Sequence, residues 1–358
     1  MKRIEFHDRE KETEEIRDIL NSEPSLITFV YGPINSGKTT LITHLVDQLP
    51  EDYKVFYINL RGRFIRNYDD FIKVLFDVEH VARYERIKEF LKPMAAVLPE
   101  SYNGIPISKD TFLNLFKEKE IEDAFVYIET VLRAFYESGH VPVLIIDELQ
   151  VIGDMKIDGY LIYKLFNLFV RLTKELHLAH VFVVTSDSLF IEQVYSEAML
   201  SGRCEYLLVD DFDEVATTAF MKEHGATDDE TIITWEYCGG KPMCLLKLIR
   251  ADEKEMVAKK MLATRVNQLK DLLDYLDYTQ PRMVIGEDEY MVEKEDIVGI
   301  LARLASLECI DDQGLDRPAK HYLIKNNILF LDPDVGIIKP QSRLNLLAIR
   351  TVLGGMQN

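Results

Sequence analysis

The sequence predicts an α/β protein: a parallel sheet with helices on both faces, followed by a helical lid domain and a winged-helix-like C-terminal domain. Three observations predict it. Short, continuously apolar runs rich in Val, Ile, Phe and Tyr recur at residues 26–31, 54–60, 143–146, 180–185 and 206–209. Too short for core helices and not alternating, they read as strands buried on both faces. Helical patterns lie between them at 38–49, 121–137 and 160–176, and such alternation builds a parallel sheet. Beyond Asp213 the strand signals stop until residue 328.

Taken in order, residues 1–212 form the α/β domain. A stretch at about 61–120 departs from strand–helix alternation and holds helical segments broken at Pro93, Pro99 and Pro106; it reads as a helical insertion. Phe71, Leu75, Phe76, Phe112 and Phe116 within it are expected to pack rather than to stack on bases. Helices are expected at 214–223, 229–238, 243–250 and 253–275, so residues 213–280 form a lid. In 281–358, helices at 296–307 and 318–325 precede two short strands at 328–331 and 336–338. Asp332-Pro333-Asp334-Val335-Gly336 supplies the turn between them. A last helix at 343–353 packs against this winged unit.

The composition restricts the functions open to the chain. Its 358 residues carry 61 acidic and 42 basic side chains, a formal charge of −19, which argues against nucleic-acid binding by the surface as a whole. Cys204, Cys238, Cys244 and Cys309 form no CxxC pair and stand with no His cluster, so reduced thiols and a cytoplasmic location are expected. No apolar run approaches the length of a membrane span.

Gly32-Pro33-Ile34-Asn35-Ser36-Gly37-Lys38-Thr39 fits G-x-x-x-x-G-K-[ST] between an expected strand and an expected helix. Glycines let successive N–H groups converge on phosphate oxygens at a helix N-terminus, where Thr40 follows the motif. Lys38 is expected on the β- and γ-phosphates and Thr39 on Mg²⁺. A second buried strand ends in Asp147-Glu148. Asp147 is the expected Mg²⁺ partner, and Glu148 is placed to act as general base on an attacking water. The expected ligands are thus ATP or ADP with Mg²⁺.

With these motifs in place the sequence resembles P-loop ATPases of the AAA+ and STAND type, and most closely the archaeal ATPase family. Phe6-His7-Asp8-Arg9-Glu10-Lys11-Glu12 looks like that family's F-x-x-R-E-x-E signature, which places Phe6 and Arg9 at the adenine pocket. Asp147-Glu148-Leu149-Gln150 is similar to its D-E-x-Q element. Gly239-Gly240-Lys241-Pro242 resembles the lid G-x-P element, which implies that Pro242 lies against the nucleotide. The resemblance also implies a phosphate-sensing role for Thr185 or Ser186, and an arginine finger at Arg203, acting on its own site or a neighbour's. The sequence departs from the AAA+ pattern by the 109 positions separating Lys38 from Asp147 and by having no arginine beside Gly240-Lys241-Pro242, where Lys241 is either a substitute for it or, as lid lysines more often are, solvated. Both departures favour a switch that closes on ATP and opens on ADP over a ring-forming motor.

Two further functions compete with an ATPase switch. Between Gln313 and Arg350 the basic residues Arg317, Lys320, Lys325, Lys339, Arg343 and Arg350 outnumber Asp316, Asp332 and Asp334, a local excess that suits DNA contact through a helix and wing. The other is a scaffold that binds a protein partner or self-associates in its ATP state.

Overall fold

The computed structural model describes residues 7–77, 101–107, 121–153, 161–197, 200–286 and 288–356. Helix α1 (Glu10–Asn21) leads into strand β1 (Ile27–Tyr31), α2 (Lys38–Val46), β2 (Tyr53–Asn59) and α3 (Tyr68–Leu75). Three two-residue strands follow, β3 (Phe76–Asp77), β4 (Ser101–Tyr102) and β5 (Ile105–Pro106), then α4 (Ile121–Glu137), β6 (Val141–Asp147), α5 (Leu161–Val170), β7 (His180–Thr185), α6 (Ser188–Glu197) and β8 (Cys204–Leu208). Six strands make one sheet in the order β4-β2-β6-β7-β1-β8, every pairing parallel.

The five long strands lie where the apolar runs are, within two residues at each end. β1, β7 and all but the first residue of β6 are buried throughout, as strands covered on both faces must be. One face packs Phe29, Phe56, Leu144, Phe166 and Phe169; the other packs Ile16, Leu41, Val143, Phe182 and Leu207. The stretch 61–120 differs from its expected helical character where it is described. Only α3 is helical, while β3 and β5 pair with each other and β4 adds an edge to the main sheet beside β2. Pro106 sits in β5, since a strand of two residues at an edge needs no donor there. Phe71, Leu75 and Phe76 are core residues as expected; Phe112 and Phe116 lie outside the described residues.

After the sheet come α7 (Glu214–Glu223), α8 (Asp228–Cys238), α9 (Pro242–Leu248) and α10 (Lys254–Tyr275). Asp213 caps α7 through the Ala216 N–H, and Thr227 with Glu230 forms a capping box on α8. Phe212, Phe220, Met221, Cys238, Leu245 and Leu248 form the core here, with Ala258 of α10. A hairpin that no sequence signal suggested, β9 (Arg282–Ile285) and β10 (Asp288–Met291), comes next. Its outer strand is exposed along its whole length, so it carries no apolar run to read. The chain ends in α11 (Lys294–Leu307), β11 (Ile310–Asp311), α12 (Arg317–Lys325), β12 (Leu329–Asp332), β13 (Ile337–Pro340) and α13 (Arg343–Met356). β11, β13 and β12 form an antiparallel sheet. Val266, Leu269 and Leu273 from the second half of α10 belong to this last core, so α10 serves both units.

These units are not merely strung together. Phe330 of β12 joins the core of the large sheet and stacks on Tyr31, while Leu189 of α6 joins the C-terminal core. At the lid junction a Cβ on Gly240 would fall 1.7 Å from the Phe212 carbonyl oxygen, and the Phe212 N–H donates to the Gly240 carbonyl at 3.0 Å. Gly240→Ala is therefore expected to cost about 3 kcal/mol by forcing these backbones apart. Gly299→Ala, at an exposed position of helix α11 with open space around its Cβ, is expected to gain about 0.5–1 kcal/mol. Urea unfolding of both variants checks the contrast.

Burial pulls the His180 imidazole down to about 4, and burial together with Lys320, Lys325 and Arg317 does the same to His321. Between pH 4 and 6.5 the unfolded chain then binds more protons than the folded one, so stability is complete above 6.5 and falls as pH drops through that window. Urea midpoints at pH 7 and pH 5 should differ, and His321→Gln should narrow the difference.

Candidate functional site

At the C-terminal edge of the sheet the strand register brings chemistry-bearing residues into a row. Asn59 pairs with Asp147, Asp147 with Val184, and Thr185 with Tyr31. Ligands of open parallel sheets bind at this edge. The Gly32–Thr39 loop leaves β1 here and runs into α2. Gly32 must be glycine, because a Cβ there would meet the Val209 carbonyl at 2.2 Å. Asn35 and Gly37 take left-handed backbones, with φ of 61° and 101°, and coil the loop around a lysine.

Lys38 is buried, and its ammonium donates to the carbonyls of Gly32 at 3.0 Å and Pro33 at 2.9 Å. Burial, with Lys241 nearby, pulls it down to about 8. The Thr39 hydroxyl donates to Asp147 Oδ2 at 3.0 Å, which joins the loop to the end of β6. Burial raises the Asp147 carboxyl, opposed by hydrogen bonds from Tyr57 at 2.8 Å and from Thr39. Tyr57 and Asn59, which bonds to the Tyr57 oxygen at 3.2 Å, went unseen in the sequence. Their alternation along β2 looks like ordinary strand packing until β6 is placed beside it.

Glu148 follows with φ 63° and ψ 40°, a left-handed turn uncommon for a residue with a Cβ. Its Oε1 pairs with the exposed Arg61 at 2.5 Å, and its Oε2 accepts from Gln150 at 2.5 Å. Gln150 in turn accepts from the Thr185 hydroxyl at 2.8 Å. Thr185 is thus brought to Glu148 through Gln150. Ser186 is the next residue, partly buried.

The amino-terminal segment meets the loop from the other side. Phe6 lies outside the described residues. Arg9 precedes helix α1, which begins at Glu10. Asp8 and Arg9 both have positive φ, and the turn sends the Arg9 guanidinium inward to the carbonyls of Ser36 at 2.8 Å and Asp210 at 2.7 Å, over the Phe212 ring. His7 lies edge-on to Phe212 and Phe220.

Lys241 corrects the expectation of a solvated lid lysine. It is 5% exposed, donates to the Ile34 carbonyl at 3.1 Å and pairs with Asp211 at 2.8 Å. Pro242 opens α9 directly after it. Thr40 is exposed on α2, and its carbonyl accepts from Thr43. Arg203 is not brought into the site. Its carbonyl accepts from the Ile27 N–H at 3.0 Å, so it stands at the opposite end of β1, about 16 Å away along five strand residues. Action of Arg203 on its own site is thereby ruled out.

The C-terminal unit also reaches the loop, which the sequence did not suggest. Gln341 accepts from the Ile34 N–H at 3.1 Å, Asp332 accepts from the Tyr31 hydroxyl at 2.7 Å, and Lys339 pairs with Asp210. The six basic residues expected as a DNA surface are largely engaged within the chain. Lys320 is buried against Asp312, Lys339 holds Asp210, and Arg343 and Arg350 both pair with Glu308. Among the described residues no helix is long and apolar enough to cross a membrane, and no cluster of three His, Cys, Asp or Glu is placed to hold a metal.

Comparison with known proteins identifies the family and the fold. The family described as an ATPase domain predominantly from Archaea matches residues 6–248, and that described as "Uncharacterized ATP-binding protein MJ1010-like, C-terminal domain" matches residues 255–353. An uncharacterized ATP-binding protein of Pyrococcus abyssi is 44% identical over 352 residues, covering 97% of this chain and 98% of that protein. Another, from Methanocaldococcus jannaschii, is 44% identical over 364 residues, 98% of each. Among solved structures, the Walker-type ATPase PABY2304 of Pyrococcus abyssi superimposes with a TM-score of 0.62 at 16% identity, covering 96% of both chains, a likeness of fold.

Proposed function

Since the chain belongs to the archaeal ATPase family, and is an ATP-binding protein with the P-loop fold, we propose that it hydrolyses ATP with Mg²⁺ and that the cycle drives a conformational switch. The observation that carries this is the meeting of Lys38, Thr39, Asp147 and Glu148 at one sheet edge, although 108 positions separate Thr39 from Asp147. Two hard oxygen donors 3.0 Å apart, the Thr39 hydroxyl and a carboxylate whose burial disfavours its charge, suit Mg²⁺, which takes few protein ligands beside phosphate oxygens. Thr39 and Asp147 would hold the ion, which would neutralise charge on the phosphates.

Each residue of the chain then has a task. Amides of residues 34–39 and the start of α2 cradle phosphate. Lys38 exchanges the Gly32 and Pro33 carbonyls for phosphate oxygens, a stronger, charge-assisted pairing. Glu148 accepts the proton of the attacking water, and Thr185 orients that water or the terminal phosphate. Arg9 braces the loop at Ser36, beside the place where the family resemblance puts adenine, and Pro242 abuts the nucleotide next to Lys241. Arg203 would serve only a neighbouring copy.

The switch follows from what already touches the loop. Lys241 holds the lid to the Ile34 carbonyl, and Gln341 holds the C-terminal unit to the Ile34 N–H. A triphosphate draws on the same loop, so its arrival closes the lid and competes with Gln341. Hydrolysis reverses both, as phosphate contacts order and release segments in other nucleotide switches.

Lys38→Ala is expected to abolish ATP binding in calorimetry, and Glu148→Gln to keep ATP while turnover falls about 100-fold or more; equal ATP affinity in wild type and Lys38→Ala would refute the site. Gln341→Ala should tighten ATP binding about fivefold, because one competing hydrogen bond of about 1 kcal/mol is gone. Unchanged affinity would mean that docking of the C-terminal unit is not coupled to the loop.

A further inference from the structure

Glu148 follows directly on β6 and Thr185 ends the neighbouring β7, the Glu148 N–H donating to the Val184 carbonyl at 2.9 Å. Their side chains do not bond to each other directly; the carboxamide of Gln150 lies between them. The left-handed turn at Glu148 and the following 3₁₀ turn Leu149–Ile152 fold the chain back so that Gln150 faces the residue two before it.

The bonds run in one direction. The Asp187 N–H donates to the Thr185 hydroxyl at 3.1 Å, and that hydroxyl donates its only proton to Gln150 Oε1 at 2.8 Å. Oε1 being turned to Thr185, Nε2 faces Glu148 Oε2 at 2.5 Å. A reversed amide would set an oxygen against a carboxylate, so the charge on Glu148 selects this orientation. Among the described residues the other carboxylate oxygen is held only by Arg61, whose side chain is 65% exposed, and an exposed ion pair exchanges readily. Oε2 is therefore the anchored oxygen and Oε1 the one free to face a water.

We infer that Gln150 is a positioning residue that couples the Thr185 hydroxyl to the Glu148 carboxylate, so that a ligand oxygen drawing the hydroxyl away also re-aims the base. This rests on the hydrolytic role of Glu148 proposed above. No proton passes through the amide: it transmits orientation, and a neutral carboxamide is suited to that because it donates at one end and accepts at the other.

The test is a double-mutant cycle on the full chain, reading kcat for ATP and, by calorimetry, ATP affinity. Gln150→Ala and Thr185→Val are each expected to lower kcat about 10- to 100-fold with affinity within about twofold, since base placement rather than binding is lost. The double variant should be no slower than the slower single, because each breaks the same chain. Gln150→Met, which keeps the volume and loses both polar ends, should match Gln150→Ala and covers the case in which the alanine variant does not fold. Losses that multiply in the double variant would overturn the coupling while leaving hydrolysis at Glu148 intact. Wild-type turnover in Glu148→Gln would instead remove the base, and the coupling with it.

Discussion

The architecture depends on one backbone contact, the approach of Gly240 to Phe212. The two main chains meet with no room for a side chain between them, and this fixes where the lid begins relative to the last long strand. Asp210 and Asp211 occupy the two positions just before it. Asp211 takes the lid lysine, Lys241, and Asp210 takes Lys339 from the C-terminal unit while its carbonyl takes Arg9 from the amino-terminal segment. Three parts of the chain distant in sequence thus converge on three consecutive residues, beside the loop that Gly32 presses against Val209. Burial holds the Asp211 carboxyl above the usual range, with Lys241 opposing it, so the ion pair is the condition for keeping a charge there at all.

Charge accounts for much of what the junction can do. The chain is strongly acidic as a whole, yet around the loop Arg9, Lys38 and Lys241 are all buried. Buried cations need partners, and here they are mostly backbone carbonyl oxygens, with one carboxylate for Arg9, Glu12, and one for Lys241, Asp211. A polyanion offers them better ones. The same imbalance explains why four of the six basic residues near the C-terminus turn to the chain's own carboxylates: acidic neighbours are plentiful, and Lys320, Lys339, Arg343 and Arg350 bind the protein's own elements together.

How much of this was legible in the sequence follows from the range of the interactions concerned. The long strands, the Gly32–Thr39 loop and the Asp147-Glu148 pair could be read because each is set by neighbours along the chain, by apolar runs and by glycine spacing. Tyr57, Asn59 and Arg61 could not, since their value appears only when β2 lies beside β6. Lys241 was misjudged for a related reason: a lone lysine carries no mark of burial, and only the Phe212–Gly240 contact carries it under the loop. Gln341 lies farther still, 307 positions from Ile34, with no local pattern to distinguish it. Arg203 shows the converse: the resemblance marks it as an arginine finger, but its place before β8 sets it at the wrong end of the sheet for its own phosphates.

Helix α10, whose halves belong to different cores, has a mechanical consequence. Twenty-two residues of continuous helix span about 33 Å, with Ala258 seated in the lid and Leu273 in the C-terminal core. Such a rod works as a lever: a tilt of about 10° at its lid end sweeps the far end through about 6 Å over that length. Displacements too small to notice around a phosphate are thereby enlarged into movements on the scale of a side chain at the remote surface.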